Sequence, residues 1–290
     1  MRVISGLAVL SKYDLFLLDQ YGVLHNGEAL LPNVAEALEA MAATAKLVVL
    51  SNTSKRRHEL LAELPKRGFR EEWLAGAVCS GEECWRALER APGTKALVLG
   101  WHRSGASYLE GTKFAPDSPE KCDVIVAHGP ELLGDTPTGF MDSGDTQPYV
   151  DAFETCVRRG VPMYCANPDQ VSVNPQGRAL FMPGTLADLY RSMGGLVFEF
   201  GKPHTPHFRA AIDLVPGAAK VCHVGDSLKH DIAGAHAAGL DSLFVIESGV
   251  HAKALKNWRD DPETALANLN SHLGLPSNLR PTYCCATFTY

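Results

Sequence analysis

Leu15-Phe16-Leu17-Leu18-Asp19-Gln20-Tyr21-Gly22 sets the pattern that decides the fold: a short apolar run delivers a carboxylate and then turns at a glycine. Two further apolar runs also end in polar residues. Leu47-Val48-Val49-Leu50 delivers Ser51-Asn52-Thr53-Ser54, and Val221-Cys222-His223-Val224 delivers Gly225-Asp226-Ser227. Short apolar runs bounded by turn residues read as strands. Further runs at 96–99, 124–127, 162–165 and 243–246 alternate with helix-like stretches, so the expected fold class is α/β, built on a parallel sheet. In such a sheet ligands bind outside the carboxyl ends of the strands, where Asp19, Ser51 and Asp226 fall.

Between the first two runs, Val34, Leu38 and Met41 recur at helical spacing after Asn33, which reads as the helix cap. A second helix is expected over 232–238, stopped by Gly239. The stretch 134–148 is rich in Gly, Asp, Thr and Pro and reads as an exposed connection.

The composition excludes several classes. A chain of 290 residues that is 46% hydrophobic and 21% charged is globular rather than disordered. With 27 basic against 33 acidic residues and a net charge of −6, it has no overall positive field to attract nucleic acid or an anionic membrane. The apolar opening is broken by Lys12 and Asp14, short of a signal core. No apolar run approaches the roughly 18 residues of a membrane span. A cytoplasmic enzyme or binding protein is expected. The eight cysteines, including the adjacent Cys284 and Cys285, form no C-x-x-C and no zinc-site spacing, and read as buried, reduced thiols. Asn52-Thr53-Ser54 matches a glycosylation signal, but it follows a strand directly, where a glycan is hard to place.

The length suits two domains, with boundaries near 68–77 and 194–201. The expected division is a core of residues 1–76 and 197–290 with an inserted domain over 77–196.

Each chemical element is ordinary when taken alone. An Asp closing a strand is commonly a turn or cap residue, Ser51-Asn52 could cap a helix, and Lys202 in Phe200-Gly201-Lys202-Pro203 could be a solvated lysine. The order in which they occur is more specific. Leu18-Asp19 with Gly22-Val23-Leu24-His25-Asn26-Gly27, then Ser51-Asn52-Thr53-Ser54, Cys165-Ala166-Asn167-Pro168-Asp169, Phe200-Gly201-Lys202-Pro203-His204 and Val224-Gly225-Asp226-Ser227 with Asp231 resemble the haloacid dehalogenase superfamily from about residue 10 to residue 255. Within it they resemble subclass IIA, the p-nitrophenyl phosphatase and sugar-phosphatase-like proteins whose α/β cap lies between the second and third motifs.

This resemblance implies a Rossmann-like parallel-sheet core with an inserted α/β cap, and a Mg²⁺-dependent phosphomonoester hydrolase acting on a small phosphorylated metabolite such as a sugar phosphate or nucleotide. It implies that Asp19 is the nucleophile that forms an aspartyl-phosphate. Asp19, Asp226 and the backbone carbonyl of Tyr21 would ligate Mg²⁺, a cation that prefers hard oxygen ligands. Ser51, Asn52 and Lys202 would bind the phosphoryl group, and Asp231 would act through metal-bound water or Lys202. In the cap, Asn167 and Asp169 would contact substrate, although Pro168 and Asp169 equally suit a structural turn. The chemistry agrees with the residue types, because a carboxylate can attack phosphorus only where a metal and a nearby cation offset the accumulated negative charge.

One position departs from the family pattern. Most phosphatases of this superfamily carry a second aspartate two residues after the nucleophile, to protonate the leaving oxygen and then activate water. Here that position is Tyr21. A phenol with an unperturbed pKa of about 10 does not replace a carboxylate, and lost acid–base assistance costs about 10²- to 10⁴-fold. Three accounts follow: a slow phosphatase that favours activated leaving groups, recruitment of another acid such as His25, or a non-catalytic protein that binds phosphorylated ligands or regulates. Tyr21 also reads as a packing group between core and cap. The apolar, aromatic tail over 279–290 suits either an added strand or a subunit contact in a homodimer.

Overall fold

The computed structural model describes residues 1–174 and 176–290. The chain forms two compact units. Met1–Ser51, His58–Val78 and Lys202–Tyr290 make the first, and Asn52–Arg57 and Cys79–Gly201 make the second. The limits differ in detail from 76/77 and 196/197. Ala77 and Val78 continue a strand of the first unit's sheet, whereas Val197–Glu199 is a strand of the second sheet.

The first sheet runs, in spatial order, Arg2–Val3, Tyr283–Cys285, Asp241–Val245, Val221–Gly225, Leu15–Leu18, Lys46–Ser51 and Gly76–Cys79. Every pairing from Arg2–Val3 across to Lys46–Ser51 is parallel. This is the α/β architecture that the alternating apolar runs predict. Leu15–Leu18 and the core of Lys46–Ser51 are buried on both faces, which is why these runs are continuously apolar rather than alternating. On one face, Leu15, Leu17, Val48 and Leu50 pack against Phe208, Ala211 and Ala235. The C-terminal tail supplies Tyr283–Cys285 as an added strand between Asp241–Val245 and Arg2–Val3.

The second unit has a mixed sheet. Lys95–Gly100, Val124–Ala127, Met163–Cys165 and Val197–Glu199 pair in parallel, and Leu132–Leu133 pairs antiparallel to Lys95–Gly100. Side chains alternate between two cores, as the two-residue period of a strand requires. Leu97, Leu99, Ile125 and Ala127 join Phe140, Phe153 and Tyr190 on one side; Ala96, Val98, Val124 and Val126 join Leu88, Tyr108 and Phe114 on the other.

Three local expectations are corrected. Asn33 precedes the helix Val34–Ala42 but has a left-handed backbone, φ 63°, and its side chain makes no cap bond. The stretch 134–148 is not a simple exposed connection. It holds the strand Thr136–Pro137 and the helix Phe140–Ser143, and Phe140 is fully buried because its ring fills the core beside Tyr149 and Phe181. The helix expected over 232–238 starts earlier, as a π-turn over Leu228–Ile232 that passes into Ala233–Ala237. All eight cysteines are buried and free, as expected.

His128 closes the strand Val124–Ala127, with its ring stacked on Tyr108 at 4.4 Å and 7° and its Nε2 at 2.9 Å from the Gly105 carbonyl. Burial depresses its pKa to about 4 from an ordinary 6.5. A depressed histidine is neutral in the fold and charged in the unfolded chain, so its contribution is intact above pH 6.5 and is lost as pH falls toward 4. Of the stability lost between pH 7 and pH 5, about 2 kcal/mol belongs to this ring. His128→Gln should therefore flatten the pH dependence by about that amount, whatever it does at pH 7. Urea melts of both proteins at the two pH values measure this, and an unchanged pH slope would contradict it.

Candidate active site

The parallel register brings three strand ends together. Leu18 pairs with Val224 on one side and Val49 on the other, so Asp19, Asp226 and Ser51 leave the sheet at neighbouring carboxyl ends. Asp19 continues the ladder by donating its N–H to the Val224 carbonyl at 2.9 Å.

Lys202 is the centre of the arrangement. It is 2% exposed, and its Nζ donates to Asp19 Oδ1 at 2.5 Å and to Asp231 Oδ1 at 2.7 Å. Burial alone would depress its pKa, but the Asp19 and Asp231 charges outweigh that and raise it, so Lys202 is a fixed cation. Asp231 is wholly buried. Burial works to raise its pKa, and Lys202 together with the hydrogen bond from His223 overcomes this and lowers it. Its second oxygen accepts the backbone N–H groups of Asp226 at 3.2 Å and Ser227 at 2.9 Å. His223 Nε2 lies 2.8 Å from Asp231 Oδ1. Burial drives the His223 pKa down, which makes it a neutral donor at this nitrogen.

Asp226 faces the opposite electrostatic balance. Burial, then the charges of Asp19 and Asp231, push its pKa well above the carboxylate range. One oxygen accepts the Val250 N–H at 2.7 Å. Ligand oxygens of Asp19, Asp226 and Asp231 all lie within 4.8 Å of one another. Three carboxylates facing one lysine leave a local excess of negative charge, and hard oxygen donors of this kind fit Mg²⁺. Two glycines permit the close packing. A Cβ on Gly22, at φ +81°, would come within 2.3 Å of Asp226 Oδ2, and one on Gly225 within 2.1 Å of Asp231 Cγ.

Tyr21 and His25 share the loop after Asp19. Their rings meet edge to face, with centroids 6.0 Å apart, and a Cβ on Gly27 would touch Tyr21 at 3.1 Å. The Tyr21 ring thus packs against its own loop. Burial foremost, then Glu28 and Asp226, raises the pKa of its phenol. His25 is buried, its Nδ1 accepts the Gly27 N–H at 3.0 Å, and its Nε2 faces Gln20 Oε1 at 3.5 Å. Both ring nitrogens are engaged in shaping the loop, which argues against His25 as a substitute acid.

The other anticipated residues divide between the units. Ser51 is buried at the end of its strand in the first. Asn52 belongs to the second, where its Nδ2 donates to Asp169 Oδ1 at 2.8 Å. Asn167 accepts the Asp169 N–H at 3.0 Å, which fixes the turn through Pro168. A sequence reading misses His223 and the Val250 N–H. The first is signalled only by one imidazole inside an apolar strand, and the second by nothing, because a backbone donor carries no residue signature.

Comparison with known proteins agrees with this geometry. The haloacid dehalogenase-like hydrolase family model matches residues 16–114, and a second, HAD-hydrolase-like model matches 199–271. The chain is 26% identical over 264 residues to a 4-nitrophenylphosphatase of Schizosaccharomyces pombe, covering 83% of this chain and 86% of that protein. A haloacid dehalogenase-like hydrolase from Brucella suis superposes with TM-score 0.79 at 24% identity, over 99% of this chain and 100% of that one. A Mycobacterium tuberculosis glycerol phosphate phosphatase solved with magnesium superposes with TM-score 0.66 at 22% identity, over 95% and 75%. The chain belongs to the haloacid dehalogenase-like hydrolases. Within them it falls in subclass IIA, the p-nitrophenyl phosphatase and sugar-phosphatase-like group.

No helix among the described residues is long and apolar enough to cross a membrane. The buried ion cluster makes a direct stability prediction. Lys202→Met leaves buried carboxylates without their cation and should cost about 3–5 kcal/mol. Adding Asp231→Asn to that variant should cost much less than Asp231→Asn does alone, because the two groups act as one unit. Chemical denaturation of the four proteins completes the cycle, and additive losses would show that the lysine and Asp231 are energetically independent.

Proposed function

We propose that this protein is a Mg²⁺-dependent phosphomonoester hydrolase that works through a phosphoryl group carried on Asp19, with a small phosphorylated metabolite as substrate. The observation that carries the reading is the buried contact of Lys202 with both Asp19 and Asp231. A lysine held this way aims Asp19, while offering positive charge where phosphoryl oxygens would crowd the nucleophile.

In this reading Asp19 attacks phosphorus. Lys202 and the Ser51 hydroxyl, with Asn52 next in the chain, hold the phosphoryl oxygens. Asp19, Asp226 and the Tyr21 carbonyl hold Mg²⁺, which when bound supplies Lewis-acid stabilisation of the charge on the transferred group. Asp231 does not react. It fixes Lys202 and is itself fixed by two backbone N–H groups and His223. Asn167 and Asp169 are assigned to the leaving group, as their resemblance to the subclass implies.

The weak point is protonation of the leaving oxygen. The raised pKa of Tyr21 makes it a poor general acid, and His25 is committed to its own loop. The activity we infer is therefore slow or narrow and favours leaving groups that depart without a proton. A protein that binds phosphorylated ligands without turnover is the alternative, and kinetics separates the two. With p-nitrophenyl phosphate, hydrolysis should require Mg²⁺ and should vanish in Asp19→Asn. Tyr21→Asp should raise kcat for alkyl phosphates by about 10²-fold or more, and raise that for p-nitrophenyl phosphate much less. Hydrolysis indifferent to both Mg²⁺ and Asp19→Asn would end the proposal, and equal gains for the two substrates would remove the account of Tyr21.

A further inference from the structure

Remote from the carboxylate cluster in sequence, the second unit holds two thiols in contact. Cys122 Sγ lies 3.7 Å from Cys156 Sγ, between residues 34 apart in the chain. Cys122 leads into the strand Val124–Ala127, and Cys156 sits on the inner face of the helix Gln147–Arg158. Both thiols point at the Pro119 carbonyl, at 3.7 and 3.9 Å. The Arg159 guanidinium donates to that carbonyl at 2.7 Å and approaches Cys122 Sγ at 3.9 Å. The sulfurs are buried, while Lys121 and Arg159 beside them in the chain are exposed.

These two cysteines differ from the rest. Burial raises the pKa of Cys79, Cys84, Cys165, Cys222, Cys284 and Cys285 and makes them inert. For Cys122 the direction is reversed and the pKa is lowered, because the Cys156 thiol hydrogen-bonds to its sulfur and Arg159 adds a positive charge. The same contact raises the Cys156 thiol. This is the arrangement of an attacking and a resolving sulfur.

We propose that Cys122 and Cys156 are a peroxide-reactive dithiol that closes to an intramolecular disulfide. The Cys122 thiolate attacks one oxygen of hydrogen peroxide; the O–O bond breaks, giving Cys122 sulfenic acid and hydroxide. The Cys156 sulfur then attacks the sulfenic sulfur, the S–O bond breaks, and the departing hydroxide takes the Cys156 proton and leaves as water. Two electrons pass from the thiol pair to the peroxide, which ends as one water and the hydroxide of the first step, and that hydroxide takes a proton from solvent. The product ties the helix Gln147–Arg158 to the start of the strand Val124–Ala127 inside one unit, without calling on either catalytic carboxylates or metal.

The test uses the full chain. Treat the native protein with hydrogen peroxide, quench, unfold in an alkylating reagent and map the peptides by mass. The expected result is a single disulfide joining the Cys122 and Cys156 peptides, reversed by dithiothreitol, with the other six cysteines alkylated. Cys156→Ser should stop at a sulfenic acid on Cys122 that dimedone captures, and Cys122→Ser should give neither product. Phenylarsine oxide, which bridges paired thiols, should bind the untreated protein once and be lost in both variants. Recovery of Cys122 and Cys156 as free thiols after peroxide, or a disulfide between other cysteines, would overturn the proposal. Retained dimedone labelling in Cys122→Ser would overturn it as well.

Discussion

Everything at the candidate site depends on one buried lysine. Lys202 sits between Asp19 and Asp231, at 2.5 and 2.7 Å, almost without solvent. Taking these charges out of water costs several kcal/mol per ion before any attraction is counted. The cost is offset in part because two of the clustered carboxylates have further support. Asp231 receives two backbone N–H groups and His223, and Asp226 receives the Val250 N–H. Even so, three carboxylates share one ammonium group. Burial first, then the charges of Asp19 and Asp231, raises the pKa of Asp226, and this crowding of carboxylates is the electrostatic reason for proposing a divalent cation at the cluster.

The fold serves this constraint. Parallel pairing of Leu15–Leu18 with Val221–Gly225 and Lys46–Ser51 carries Asp19, Asp226 and Ser51 to one edge without any long-range loop. Lys202 then reaches Asp19 from 183 residues away in sequence. Such close approach leaves no room for extra atoms, hence glycine at 22 and 225. The π-turn over Leu228–Ile232 has a matching effect: it turns the Asp231 carboxylate back toward the amides of Asp226 and Ser227.

Much of this was legible in the sequence because it is written in side-chain type and short spacing. Asp19, Lys202, Asp226 and Asp231, read as one group from motif order, do converge. Buried strands such as Leu15–Leu18 and Val124–Ala127 stood out because both faces are covered, so their residues are uniformly apolar. Short or half-exposed strands did not. Gly76–Cys79 has a weak apolar signal, and Val197–Glu199 leaves Phe198 43% exposed. Residues 134–148 misled for a different reason, because turn-forming residues surround Phe140, a single buried ring whose importance is tertiary. His25 and Tyr21 show the same limit. Their types are compatible with acid chemistry, and only the hydrogen bond from Gly27 and the edge-to-face packing show how the loop uses them.

The central claim is that Asp19, activated by its position against Lys202, carries the phosphoryl group. It is tested most directly by quenching the protein during turnover of p-nitrophenyl phosphate, reducing with borohydride and locating the product by peptide mass. An acyl phosphate on an aspartate is reduced to homoserine, so the account predicts homoserine at position 19, dependent on Mg²⁺ and absent without substrate. Phosphoryl transfer to a different residue, or undiminished turnover in Asp19→Asn, would contradict it.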